Sequence, residues 1–408
     1  MRGAAVGTET APEAAPHLGA RVAALGVAQI VSWGTLFYTI AVLGAAMRAD
    51  LGVSDALLFG AFSAGLVVSG AASPTIGRWI DAGHARAALA GGSCVGALAL
   101  AMLALAQGPG ALIAGWIVAG VAMALTLYDP AFAVLHTISG AGYRRAVTAL
   151  TLLGGFASTV FWPLSLWLQN DFGWRATFGV YAAMHLAICL PLHVAAIPRS
   201  ARSEPASSAL PASSPRGASK GKGGASFAWL AIALSGASFI ASALSAHAIG
   251  LLTASGLTAA DAVLISALFG PMQVAGRVVE FTVGRNLRAQ AVGTVAFAML
   301  AAALLLLSQV RGLMLTALAF ALVYGFSNGV MTIVRGTVPA ELFGRRDFGT
   351  LLGRLARPQL IARAVAPVAL ALCFPFDPAR VLTPYVLVVL GLAALVAYWK
   401  ALRQHTPK

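Results

Sequence analysis

Apolar residues in this chain gather into long runs, and short polar stretches separate them. Twelve runs can be marked, at 20–47, 54–76, 86–106, 111–137, 147–169, 175–197, 227–252, 259–283, 289–308, 313–334, 348–375 and 380–402. They are rich in Ala, Leu, Val and Gly. An α-helix rises about 1.5 Å per residue, so about 20 residues cross the roughly 30 Å of hydrocarbon in a bilayer. Lipid offers the backbone no hydrogen-bond partner, so each run is predicted to be a membrane-spanning helix. No βαβ alternation or series of short strands is visible. The predicted fold class is an all-α membrane protein with twelve transmembrane helices in two six-helix halves.

The longest polar stretch falls between the sixth and seventh runs. Ser, Pro, Ala, Gly and basic residues fill 198–226, which reads as a flexible linker. The predicted domains are a disordered tail (1–18), a six-helix bundle (19–197), the linker (198–226), a second six-helix bundle (227–402) and a short tail (403–408). Residues 1–18 are no secretory signal, since no basic segment precedes a short apolar run. Gly221-Lys222-Gly223-Gly224 is no phosphate loop, because no strand precedes it and the spacing is wrong.

The two halves repeat. Gly77-Arg78-Trp79-Ile80-Asp81 recurs as Gly276-Arg277-Val278-Val279-Glu280, an offset of 199 residues. Internal duplication of this length in a membrane chain is the mark of a secondary transporter. Glycine spacing such as Gly92-x-x-x-Gly96 lets helices approach closely in lipid.

Composition strengthens the membrane reading. The chain is 59% hydrophobic and 10% charged, and its mean hydropathy is +0.85. Soluble domains are nearer half apolar and a quarter charged. The net charge of +14 does not imply nucleic acid, because Lys and Arg lie in short loops rather than on one polar face. With both termini on one side, that side carries 21 of the 27 basic residues. The other side carries four, Arg48, Arg175, Arg311 and Arg380, and two fall inside the eleventh run. This bias predicts cytoplasmic termini and a cytoplasmic linker. Cys94, Cys189 and Cys373 are far apart and lie in apolar runs, so they are expected to be buried small hydrophobes. No metal or cofactor is expected.

Twelve runs, a six-plus-six repeat and a basic central loop resemble the major facilitator superfamily. The loop after the second run resembles that superfamily's G-x-x-x-D-(R/K)-x-G-R-(R/K) signature. Gly77, Asp81 and Arg86 match; Ala82 and Ala85 replace basic residues, and Gly83 comes one place early. Gly276 and Glu280 retain part of the pattern in the second copy. A narrower resemblance rests on five segments. They are Ser32-Trp33-Gly34-Thr35-Leu36-Phe37-Tyr38, Leu127-Tyr128-Asp129-Pro130-Ala131-Phe132, Leu153-Gly154-Gly155-Phe156-Ala157-Ser158-Thr159-Val160-Phe161-Trp162-Pro163, Gly270-Pro271-Met272-Gln273-Val274-Ala275-Gly276-Arg277 and Tyr324-Gly325-Phe326-Ser327-Asn328-Gly329. Together they are similar to a bacterial branch related to monocarboxylate transporters. That resemblance implies the fold and transport, and a place in a bacterial cytoplasmic (inner) membrane. In the superfamily reading, Arg78 with Asp81 and Arg277 with Glu280 form gating charge contacts; retention of topology by positive charge alone is the other reading.

Several residues are candidates for the transport path. Asp129 is a carboxylate in an apolar run, costly unless paired, hydrated or protonated. Pro130 beside it removes a backbone hydrogen bond and bends the helix, exposing a carbonyl to a cavity. Asp129 is thus either a proton site or one half of a fixed ion pair. The repeat offset maps position 129 onto Asn328, so both are expected at the seam between halves, with a packing hydrogen bond as the other reading of Asn328. Arg357 is expected near mid-membrane and facing the interior, where it either binds an anionic substrate or pairs with a carboxylate such as Asp129. Arg363 has the same two readings, and Arg354 is expected to snorkel to the interface. Trp33, Tyr38, Tyr128, Phe161 and Trp162 either line the path or pack. His247 either titrates on the path or caps a helix end.

The reading is a monomeric transporter of a small organic solute, favouring a carboxylate anion moved with protons. A proton-coupled drug or metabolite exporter is the alternative. A membrane-embedded enzyme would need H-E-x-x-H, paired aspartates or G-x-S-x-G, and none is present. A transporter-like sensor would need a soluble signalling segment, and ATP-driven transport a nucleotide-binding domain; no segment is large enough for either.

Overall fold

A computed structural model describes residues 18–139, 143–198, 222–282, 287–343, 348–377 and 379–405. The expected tail up to residue 17 and residues 199–221 of the expected linker lie outside the described residues, while 222–226, expected in the linker, are helical, with Ser226 buried and donating to the Ala401 carbonyl at 2.8 Å. Among the described residues, ten helical segments are long and apolar enough to cross a membrane. Two of them, of 50 and 52 residues, are far too long for one crossing. Each turns back at a glycine in left-handed backbone, Gly83 (φ 93°) and Gly173 (φ 79°), a conformation that costs glycine little. The ten segments therefore hold twelve crossings.

In chain order these are α1 (Leu18–Leu51), α2 (Asp55–Trp79), α3 (Ala85–Ala104), α4 (Pro109–Leu135), α5 (145–172), α6 (174–196), α7 (Gly224–Ala254), α8 (Ala259–Glu280), α9 (Ala289–Ser308), α10 (Met314–Phe343), α11 (Arg354–Phe376) and α12 (Thr383–Gln404). Local sequence sets their starts. Ser54 accepts the backbone N–H of Leu57 at 3.2 Å at the head of α2, and Thr258 accepts that of Asp261 at 3.1 Å at the head of α8. The same capping device opens equivalent helices of the two halves.

Packing repeats as well. In the first half α2 and α3 pack on α4, α3 on α6 and α1 on α5; in the second α8 and α9 pack on α10, α9 on α12 and α7 on α11. Small residues permit the closest contacts, as expected where lipid removes the hydrophobic drive between helices. Gly120 meets the backbone of Gly65 between α2 and α4, and Gly329 meets that of Gln273 between α8 and α10. Gly92 packs on Leu125 and Thr126 of α4, and Gly96 on His185 of α6, as the glycine spacing leads one to expect. The cysteines differ from expectation. Only Cys189 is buried, while Cys94 and Cys373 are exposed on the outer helix surfaces.

The halves meet along α2–α11, α5–α8 and α1–α7. Even crossings put residues 18 and 405 on one face, here the terminal face; the opposite one is the distal face. The seam is closed distally. Phe59 of α2 lies 3.9 Å from the His247 ring of α7, which also sits 5.1 Å from Phe374 of α11. A Cβ on Gly60 would stand 3.7 Å from Val368. Asp55 bridges Arg48 at 3.4 Å and, across the seam, Arg380 at 3.7 Å. Arg380 also lies 4.2 Å over the Phe374 ring, on left-handed backbone (φ 53°). A partly exposed ion pair contributes about 0.2–1 kcal/mol. Arg380→Ala is therefore expected to speed labelling of a cysteine at Asn328 from the distal face by up to about fivefold. The background would lack Cys94, Cys189 and Cys373, and an unchanged rate would show that the pair does not hold the seam shut.

Candidate functional site

The site begins with a break in α4. Pro130 has no N–H to give the Thr126 carbonyl four residues back. The backbone at Leu127 leaves the helical region (φ −77°, ψ −160°), and a new helical turn starts at Tyr128. The freed carbonyl is not left exposed. Gln29 of α1, fully buried, donates to the Thr126 oxygen at 2.6 Å and accepts the Trp33 indole N–H at 3.2 Å. The break aims Tyr128 and Asp129 into the seam.

A second irregularity faces it. Residues Gly34–Tyr38 of α1 form a wide π-helical turn, a feature common at functional sites. Gly34 permits close contact with the Phe161 ring of α5. The Trp162 indole donates to the Tyr38 carbonyl at 3.0 Å, and its ring sits 5.5 Å from that of Tyr38. Trp33, Phe37 and Tyr38 come to face the seam.

Between these elements lies a cavity of about 320 Å³. Helices α1, α2, α4, α5, α7, α8, α10 and α11 line it, four from each half. Its lining continues towards the terminal face through Ser73, Thr332 and Arg335. The two walls differ in chemistry. The first half supplies aromatic rings and Asp129, whose side chain is exposed to the cavity. The second half supplies Arg277, Arg335, Arg363, Gln273 and Asn328. Arg277 donates from Nη1 to the Thr151 carbonyl of α5 at 2.9 Å, reaching across the seam. The Nε–H groups of Arg277 and Arg335 are buried without an acceptor. Arg335 and Arg363 feel each other's charge, and Tyr38 lies within electrostatic reach of Arg363 and Arg277. Arg277 and Arg335 thus each keep one buried N–H without an acceptor, on a wall of like charge.

Asp129, Asn328, Tyr128, Tyr38 and Arg363 all line this cavity, so the repeat offset does bring Asp129 and Asn328 to one seam. Arg357 differs from expectation. Its side chain is exposed and is not among the cavity-lining groups. It lies on the helix face of Leu360 and Ala364 but nearer the terminal face, outside the groups that line the cavity. His247 is buried in the distal closure and bonds the Pro367 carbonyl at 2.8 Å. Trp162 supports Tyr38 from behind. Arg78 is exposed and donates to Thr75 at 3.1 Å, Asp81 is exposed, and Arg86 is half-buried. Arg277, expected with Glu280 at the cytoplasmic end of the eighth run, lines the cavity. Gly77 has open space around it, whereas Gly276 packs on the Phe326 backbone. Sequence reasoning missed Gln29, Gln273 and Arg335. Arg335 follows directly on the apolar run at 313–334, but the helix runs on to Phe343 and carries it inside.

Profile comparison matches residues 25–367 to the Major Facilitator Superfamily. The chain belongs to the Major Facilitator Superfamily. It is a transporter, not an enzyme, and the superfamily fold works by alternating access. No curated protein matches the sequence. Among solved structures, the chain is similar to a bacterial homolog to the human lysosomal transporter Spinster in its inward-facing, unoccupied conformation. That match has a TM-score of 0.69 and 15% identity, covering 97% of this chain and 100% of the other. The nucleoside transporter NupG is similar at a TM-score of 0.72 and 14% identity, covering 96% and 100%. In this superfamily member the α4 break, held by Gln29, positions the acidic group of the seam. Gln29→Leu leaves the Thr126 carbonyl buried and unpaired, which is expected to cost about 1–3 kcal/mol. A thermal melt of the purified protein checks this; an unchanged melting temperature would mean that water or relaxation replaces the bond.

Proposed function

We propose that the protein moves a small carboxylate anion together with protons across a bacterial cytoplasmic membrane, with both termini in the cytoplasm. The observation that carries this reading is the convergence of Arg277, Arg335 and Arg363 on the seam, two of them with an unused buried Nε–H. A guanidinium fork grips a carboxylate with two parallel hydrogen bonds. The resemblance of five segments to a branch related to monocarboxylate transporters supports the same substrate class. Asp129 supplies the proton site. With three cations and one carboxylate around the cavity, protonation of Asp129 makes the cavity more positive and favours the anion. By linkage, the anion favours protonation equally. Loading both adds no net charge to the seam before the halves move.

The charge bias supports the orientation. Arg277 and Arg335 belong to the cavity, which lowers the terminal-face count from 21 to 19 against four distal residues. The cavity then opens to the cytoplasm. Labelling of Asn328→Cys on intact cells, in a background lacking Cys94, Cys189 and Cys373, tests this, since fast reaction with an external reagent would put the open face outside.

Asp129→Asn is expected to abolish pH-driven accumulation in vesicles while substrate exchange stays measurable. An unchanged pH dependence would remove Asp129 from the coupling. Arg363→Lys keeps the charge but loses the fork, and is expected to weaken anion affinity about tenfold or more. Arg357→Lys, at an exposed position, is expected to stay within about twofold. Affinity and melting temperature are read on the same samples, and wild-type affinity in Arg363→Lys would return that residue to a structural role.

A further inference from the structure

We infer that the transported anion carries an aromatic ring, so that the substrate class is an arylcarboxylate. The inference rests on the reading that the central cavity binds the transported anion, and carries it to the body of the molecule. The cavity is two-sided. The guanidiniums of Arg277, Arg335 and Arg363 all come from the second half, and the facing wall of the first half is built from rings of α1 and α4.

Those rings form one surface. Tyr128 and Phe132 stack with planes 8° apart and centroids at 5.4 Å. Trp33 lies 5.1 Å from Tyr128 and 6.1 Å from Tyr38. Tyr38, Tyr128 and Phe132 are only half-buried, so each keeps part of its surface open to the cavity. Elsewhere in the chain the rings that pack helices together, such as Trp116, Phe297 and Tyr398, are fully buried, so a half-exposed aromatic wall at the seam stands out as open to a partner. Aromatic rings prefer offset-stacked or edge-on partners, because the face of one is negative and the edge of the other positive. A planar ring set on this wall meets such partners, whereas a saturated ring of the same size gains only burial.

The geometry also fits the ends together. A molecule with a carboxylate at one end and a ring at the other spans the seam, with its charge on α8, α10 and α11 and its body on α1 and α4. It thereby touches both halves at once, which gives it the differential contacts needed to bias a movement between them. A volume of about 320 Å³ is near the lower end for small-molecule pockets and suits an acid with one or two rings.

The test uses the purified full-length protein and three probes of matched size, phenylacetate, cyclohexylacetate and 2-phenylethanol. Calorimetry or quenching of tryptophan fluorescence reads binding. Phenylacetate is expected to bind about tenfold tighter than cyclohexylacetate, and 2-phenylethanol is expected not to compete. Tyr128→Leu and Phe132→Leu are expected to bring the ratio of the two acids close to one. Equal affinity of both acids for the wild-type protein would overturn the aromatic inference and leave the anion reading standing. Binding of 2-phenylethanol with neither acid bound would overturn the anion reading, and this inference with it. The wild-type ratio decides the matter even where a variant does not fold.

Discussion

The arrangement depends on one backbone carbonyl. Pro130 takes away the hydrogen bond that the Thr126 oxygen would receive in a continuous helix, and a bare carbonyl in a membrane-embedded core is expensive. Gln29 pays that cost at 2.6 Å, from a different helix. Because Gln29 is in turn fixed by the Trp33 indole, the break in α4 and the wide turn of α1 are locked to one another. The rings, the acid and the seam therefore keep a fixed relation. Removing either irregularity would leave straight helices packed on one another and no reason for Tyr128 and Asp129 to face the same space as Tyr38.

On that frame the duplication is used unequally. The two halves share capped helix starts, glycine contacts and the order of packed pairs. Their cavity walls have diverged into an aromatic, acidic side and a basic side. Asn328 occupies the position that the offset pairs with Asp129, so the second half has an amide where the first has a charge. Symmetry in the scaffold lets the halves rock about a shared axis. Asymmetry in the walls gives one site a head and a tail instead of two equivalent ends.

Closure follows the same economy. The distal seam is shut by ring contacts, a glycine approach and one shared aspartate, each weak alone. A seam held by a few small terms opens without breaking the tightly packed interior of either half, as a protein that must expose its site to two faces requires.

Much of this was legible in the residues themselves. Run length and composition determined the membrane class, because lipid leaves an α-helix as the way for such a run to satisfy its own backbone. The 199-residue offset determined the two halves and placed Asp129 and Asn328 together. Glycines 83 and 173 show how two apparent over-long helices still make four crossings. The direction of individual side chains was decided by tertiary structure. Arg335 continued beyond the end of its apolar run, Arg357 stayed exposed outside the cavity lining, Arg277 joined that lining, and His247 went to the distal closure. Apolar periodicity reports which segments lie in lipid, but with all faces of a helix apolar it does not say which face meets the seam. Gln29 could not be matched to Thr126 from the chain alone, since 97 residues separate them and only the packing of α1 on α4 brings the amide to the carbonyl it completes.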